Sequence, residues 1–236
     1  MRVLFRVLSI VLFLSLSVAA FAGANYTNIE NMGGWQSCSA CAGAGGNGSI
    51  APYSMSSGVS SPSLDGSAGQ FNLGGSHPYS DALWWRQLGG NSTAHHFVYD
   101  LYFYVKNSSA VQALEFDVNQ VANGRKYIFG TECDVRNTHT WKVWDTAGVR
   151  WISTGVGCSA PAAYKWNHLT WEVERTSSNM VHFIAFTLNG AKHYINRYYH
   201  PRAVNASMID VAFQMDGNNV QAHYSVWLDK VSLSYY

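Results

Sequence analysis

Residues 111 to 120 read V-Q-A-L-E-F-D-V-N-Q, in which apolar Leu114, Phe116 and Val118 alternate with polar Glu115, Asp117 and Asn119. Successive side chains leave a pleated strand on opposite sides, so this period of two predicts a strand with one buried face. Its polar face carries two carboxylates and an amide at i, i+2 and i+4. Aligned like charges repel across a strand face, so a merely solvated strand gains nothing from this row. Short polar groups fixed on a rigid sheet suit hydroxyl recognition, metal binding or acid/base chemistry.

Outward from this segment the strand pattern repeats. Towards the C-terminus, strands are expected at residues 126–133, 140–145, 150–154, 168–175, 181–188, 192–196, 210–215 and 224–235. Turn pairs such as Asn123-Gly124, Ala147-Gly148 and Asn189-Gly190 separate them. Towards the N-terminus, strands are expected at 83–88 and 96–105, with short ones at 28–32 and 70–73 and a Gly/Ser-rich loop over 43–63. No segment beyond residue 22 keeps a helical period. Many strands about ten residues apart predict an all-β fold, a two-sheet antiparallel β-sandwich (jelly roll), with residues 23–236 as a single domain.

Residues 1–22 read as a secretory signal. Arg2 and Arg6 precede an apolar run, and Ala20-Phe21-Ala22 is an A-x-A cleavage pattern. That run is short for a membrane span and has no successor, so the expected location is secreted or cell envelope, with no membrane span after signal removal. Removing it takes 2 of the 15 basic residues and none of the 14 acids, leaving 13 against 14. A near-neutral chain without a basic cluster excludes nucleic acid as the partner. Aromatic residues make up 14% of the chain and charged ones only 12%, a balance suited to aromatic packing and to contact with flat sugar faces.

Cys38, Cys41, Cys133 and Cys158 are the four cysteines, and secretion makes disulfides the expectation. Three pairings exist; the favoured one is Cys38–Cys41 with Cys133–Cys158, the latter closing a loop whose limbs read as strands. The C-x-x-C lies in Ser/Ala/Gly sequence rather than at a helix start, which argues against redox chemistry.

The same alternation puts Gln214 and Asp216 on one strand face, and Lys142 and Trp144 on another. Together with Glu115, Asp117 and Asn119 they make a candidate carbohydrate-binding face, an aromatic platform with fixed hydrogen-bonding groups. Trp84 and Trp85 point to opposite faces, so one is expected in the core. The nine histidines are scattered without metal-ligand spacing. Five N-x-S/T sequons, from Asn25 to Asn205, matter only in a eukaryotic source.

The P-S-L-D-G-S run at 62–67, the L-E-F-D-V-N segment and the ending S-V-W-L-D-K-V-S-L-S-Y at 225–235 together resemble the concanavalin A-like lectin/glucanase sandwiches, over most of residues 60–236. In that superfamily's glucanases the central strand carries E-x-D-x-E or E-x-D-x-x-E. The resemblance implies Glu115 at the nucleophile position and Asp117 at the orienting one. The acid/base position then falls on Asn119 or Gln120, and neither amide can donate a proton as an acid. Related sandwiches often hold a structural calcium between their first and last strands, which implies Glu30 and Asp229 as candidate ligands. Polysaccharide lyases of this class use His, Tyr and Arg; Arg197, Tyr198, Tyr199 and His200 supply those types, without the lyase motifs. The reading is a polysaccharide- or glycan-binding protein that needs no cofactor beyond that calcium. A glycosidase using Glu115, a lyase, and a structural or adhesive envelope protein are the alternatives.

Overall fold

Seventeen strands form in the regions described by a computed structural model, residues 23–39, 51–75, 78–220 and 222–236. In chain order they are β1 (Ala24–Tyr26), β2 (Gln36–Ser39), β3 (Tyr53–Val59), β4 (Ala68–Leu73), β5 (Asp81–Gln87), β6 (His96–Val105), β7 (Val111–Ala122), β8 (Arg125–Phe129) and β9 (Thr131–Asp134). They continue with β10 (Thr140–Asp145), β11 (Arg150–Gly157), β12 (Trp166–Arg175), β13 (Val181–Leu188), β14 (Ala191–Tyr199), β15 (Arg202–Ala203), β16 (Met208–Gly217) and β17 (Tyr224–Tyr235). One sheet runs β14-β13-β12-β6-β17-β4-β3, with β1 also on β17. The other runs β11-β10-β9-β7-β16-β5-β2, with β8 also on β7 and β15 outside β8. Every pairing is antiparallel. The protein is therefore an all-β, two-sheet antiparallel sandwich.

The alternation in β7 places Leu114, Phe116 and Val118 inside, each at most 3% exposed. Aromatic rings join the layers. Phe71 and Phe103 from one sheet meet Phe213 and Phe116 from the other, at centroid distances of 5.0 Å for Phe71–Phe213 and 5.2 Å for Phe103–Phe116. Trp141 meets Trp171 edge-on at 5.8 Å on the same plan. Offset and edge-on contacts suit the ring quadrupole, and each adds about 1 kcal/mol beyond burial. Of the adjacent pair, Trp84 is the core residue and Trp85 faces outward, half-buried.

Three expectations need correction. The loop expected over 43–63 contains strand β3 at the edge of its sheet; residues 43–50 lie outside the described regions. Tyr53 and Met55 pack on the core while serines alternate with them, and the serine content concealed the period. The short strand expected at 28–32 is a 3-10 turn, Ile29–Asn31, entered through Asn28 in the left-handed region at φ 52°. The strand expected over 126–133 is two strands, β8 and β9, divided at Gly130.

Disulfide Cys133–Cys158 forms with a Cα–Cα distance of 5.8 Å and ties β9 to the chain just after β11. Such a bond fits an oxidising, extracytoplasmic compartment. Cys41, and the leader expected at 1–22, lie outside the described residues.

The carboxylates expected to hold calcium also bind the chain to itself. Both oxygens of Glu30 accept backbone N–H groups, from Lys230 at 3.2 Å and Val231 at 3.0 Å. Asp229 Oδ2 accepts from Ser63 Oγ at 2.8 Å and Leu64 N–H at 2.5 Å, fastening the P-S-L-D-G-S turn to β17. Asp229 Oδ1 has no protein partner. Burial pushes the Glu30 carboxyl up to about 7, against its own backbone hydrogen bonds, and the Asp229 charge adds to the rise.

Two outcomes test this frame. Replacing Cys133 and Cys158 together by alanine lowers stability by about 3 kcal/mol, as urea denaturation reads it, because the unfolded chain regains the freedom of the loop. Glu30 binds its proton more tightly folded than unfolded. Its contribution is therefore fully present below about pH 4.5 and is lost as pH rises towards 7. In buffer free of divalent ions, Glu30→Gln flattens the fall in melting temperature across that window.

Candidate functional site

The register of β7 builds the outer face of its sheet. Glu115 lies opposite Gln214, Asp117 opposite Ala212 and Asn119 opposite Asp210 on β16. Beyond β16, β5 sets Trp85 opposite Ala212 and Leu83 opposite Gln214. On the other side β9 sets Glu132 opposite Glu115, and β10 sets Lys142 opposite Glu132. The β10–β11 hairpin sets Trp144 opposite Trp151.

These rows enclose a groove of about 500 Å³. Glu115, Asp117, Asn119 and Gln214 form its floor, with Trp85 on one flank and Trp144 and Trp151 on the other. The last two rings meet edge-on at 5.1 Å. Gly130 is needed for that flank. A Cβ there would stand 3.0 Å from Trp144 Cβ and 3.4 Å from the Trp151 ring.

Next to the groove a depression of about 590 Å³ is lined by Glu132, Asp134, Lys142 and Asp216, and shares Trp151 with it. Lys142 Nζ bridges Glu132 at 2.9 Å and Asp134 at 2.7 Å. Asp134 also accepts from the Asn137 and Thr138 N–H groups, at 3.0 and 3.1 Å. Burial works against its charge, but Lys142 and these donors outweigh burial and hold its carboxyl below the ordinary range. Burial likewise works against Lys142, and Asp134 and Glu132 outweigh it, so its ammonium is held above the ordinary range.

The other carboxyls on this face go the opposite way. Burial pushes Asp117 and Glu132 up to about 7 and Asp210 to about 6. Glu115 is raised well above the ordinary range by burial first, then by the Asp216 charge; burial is also the leading cause for Asp216, ahead of Glu132. Burial leads, and mutual repulsion adds to it. Two charges 4 Å apart repel by about 4 kcal/mol even at an effective dielectric of 20. One oxygen each from Glu115, Glu132 and Asp216 lies within 4.8 Å of the other two, a spacing that can hold a metal ion.

The floor is tied down by hydrogen bonds but left incomplete. Asp117 Oδ1 accepts the Thr131 N–H at 2.9 Å, and Asn119 Nδ2 donates to Asp210 Oδ1 at 2.8 Å. Gln214 Nε2 donates to Glu115 Oε1 at 2.7 Å and Asp216 Oδ1 at 3.0 Å. Among the described residues, Asn119 Oδ1, Gln214 Oε1 and Trp151 Nε1 are buried without a protein partner. Such atoms are rare in native structures and call for an occupant, a ligand or water.

Of the residues expected on this face, Glu115, Asp117, Asn119, Trp144 and Gln214 line the groove, while Lys142 and Asp216 line the depression beside it. Gln120 is not on the face. It turns the other way, fully buried, and donates to the Asn91 and Ala94 carbonyls at 3.0 and 2.6 Å. Tyr198 and Tyr199 sit on β14 of the opposite sheet, Tyr198 stacked on His182, so the lyase-type residues are not brought to the groove. Trp151, Glu132, Asp134 and Asp210 were not picked out in the sequence, and Trp85 was singled out only as one of an adjacent pair that divides between core and outer face. The alternation T-E-C-D at 131–134 and the hairpin around Ala147-Gly148 carry the signal for three of them.

No family model matches the chain, and no curated protein matches it. Solved structures are similar at low identity. A carbohydrate-binding module of the β-sandwich superfamily is 8% identical with a TM-score of 0.46; the match covers 86% of this chain and 57% of that one. The potassium-bound carbohydrate recognition domain of Emp46p is 8% identical, TM-score 0.42, over 77% of this chain and 87% of that one. A family 11 carbohydrate-binding module from Clostridium thermocellum, in complex with a β-1,3-1,4-mixed-linked tetrasaccharide, is 14% identical, TM-score 0.42, over 91% and 96%. At such scores the roles of residues rest on this chain's own geometry.

Lys142 holds two carboxylates that have no other cation bonded to them among the described residues. Lys142→Met therefore lowers stability by about 3 kcal/mol, because it leaves buried charge uncompensated. Lys142→Arg retains most of that stability. Thermal and urea denaturation of both variants checks the difference.

Proposed function

We propose that the protein is a secreted carbohydrate-binding, lectin-like protein that engages a polysaccharide or glycan in the groove over β7 and β16. The observation that carries this reading is the pairing of a tryptophan-flanked groove with a floor of fixed, incompletely bonded polar groups. Flat indole faces suit the C–H faces of sugar rings. Carboxylates and amides suit their hydroxyls, and a carboxylate–hydroxyl bond is the stronger kind. The orphaned Asn119 and Gln214 oxygens accept, and the Trp151 N–H donates, so a polyhydroxy ligand can satisfy all three.

Binding without cleavage fits better than hydrolysis. Asn119 stands where a glucanase of this pattern would need its acid, and its amide is bonded to Asp210. Glu115 is 4% exposed and engaged by Gln214, a poor position for a nucleophile.

A polysaccharide array with parallel analysis of reducing ends and unsaturated products tests the reading. The expected outcome is binding without products. Trp144→Ala and Trp85→Ala each weaken binding by about 1–2 kcal/mol through loss of a stacking face, while Glu115→Gln keeps measurable affinity. Cleavage abolished by Glu115→Gln would instead make this a glycosidase. Unchanged affinity in both tryptophan variants would remove the groove as the site.

A further inference from the structure

A separate cavity of about 330 Å³ lies between the two sheets, away from the outer groove. Phe103 and Leu188 from one sheet and Leu114, Phe116 and Trp141 from the other form its walls. Among the described residues, no ionisable side chain lines it. Residues 158–162, C-S-A-P-A, also line it and offer only small side chains to fill the space. That loop is held in place. Cys158 is bonded to Cys133, Ser108 Oγ donates to the Pro161 carbonyl at 2.6 Å, and the Tyr164 N–H donates to the Val105 carbonyl at 2.9 Å. The Tyr164 side chain is 68% exposed and leaves the space unfilled. Native cores are close-packed, and voids larger than a water are few. Two amides break the apolar lining. Asn167 heads the inward row of β12 that continues with Leu169 and Trp171. Its Oδ1 accepts from Asn189 Nδ2 at 3.1 Å, and its Nδ2 donates to the Lys165 carbonyl at 3.3 Å. An amide oxygen has two lone pairs and an amide nitrogen two hydrogens, so each atom retains one further bond.

We propose that this cavity binds a small uncharged aromatic compound carrying one hydroxyl or carbonyl group, with its rings among Phe103, Phe116 and Trp141 and its polar end on Asn167. Charge, shape and size each set part of that chemistry. An ion placed here would lose its water and meet no counter-charge, so the guest is neutral. Walls made of rings receive a flat aromatic guest through offset and edge-on contacts. An apolar cavity of about 150 Å³ stays dry and holds one benzene. One of about 330 Å³ therefore takes roughly two fused rings. A few polar groups in a mostly apolar lining are what orients a small ligand, and the free positions on the Asn167 amide suit a hydroxyl or a carbonyl. The site stands independently of the glycan reading. Leu114 and Phe116 line it from the inner side of β7, whereas Glu115 and Asp117 of the same strand line the outer groove.

The test uses the full chain with its disulfide intact, and no glycan. Naphthol and its charged counterpart naphthoate are titrated by calorimetry, and melting temperature is read with and without naphthol. The expected result is one naphthol per chain and a higher melting temperature in its presence. Naphthoate binds about tenfold more weakly or worse, because its charge must be stripped of water. Leu188 is half-buried and lines the cavity, so a larger side chain there has room to enter it. Leu188→Trp weakens naphthol about tenfold or more by occupying its space, and Leu188→Phe does so in smaller measure. The melting temperatures of the two variants without ligand separate a folding defect from a filled cavity, and where Leu188→Trp unfolds, Leu188→Phe decides. Trp144→Ala, in the outer groove, leaves naphthol affinity as it was. No naphthol binding at millimolar concentration overturns the proposal, as does equal affinity for naphthoate. So does affinity that survives in the folded Leu188 variants or is lost in Trp144→Ala, since the compound would then lie elsewhere.

Discussion

The register between β7 and β16 is the constraint on which the rest of the molecule depends. Phe116 lies opposite Phe213 in the core, so the pleat necessarily puts Glu115 opposite Gln214 on the other face. A slip of one residue would send Glu115 and Asp117 among the aromatic rings and expel Phe116 to the surface. The core thus specifies the site: the rings that join the two sheets determine which carboxylates meet on the open face. The same coupling runs through β5, where Trp84 enters the core and Trp85 is thereby turned towards the groove.

The open face pays for its chemistry in electrostatics. Carboxyls from β7, β9 and β16 converge where burial disfavours their charge, and Lys142 relieves only the Glu132–Asp134 side. On the other side Glu115 and Asp216 share the Gln214 amide nitrogen. A face built only for stability would place apolar residues here, because removing charge from such a cluster costs nothing in packing. Concentrated acids beside unsatisfied amides and three tryptophans are what the proposed ligand-binding role of this face rests on.

Small residues shape that face as much as large ones. Ala212 lies between Asp117 and Trp85 and leaves the floor open. Gly130 divides the strand expected over 126–133 and admits the Trp144 and Trp151 side chains, which a Cβ would crowd. Its carbonyl accepts the Trp144 N–H at 2.9 Å, which fixes the flank where β8 gives way to β9.

By itself the sequence determined the all-β class, most strand positions from residue 81 onward, and the face to which Glu115, Asp117, Trp144 and Gln214 belong. Those features follow from local alternation, and the pleat translates alternation directly into sidedness. The Cys133–Cys158 pairing was also chosen there, from the strands that flank it. What only the tertiary structure decided is which strands lie side by side. Glu132 comes to Glu115 through β9, and Asp216 through β16, 101 positions along the chain from Glu115. Strand order obeys loop closure and packing between sheets, which no local pattern encodes. For the same reason β3 stayed hidden: its strand exists because β4 offers it an edge to pair with, and its serines carry little signal of their own.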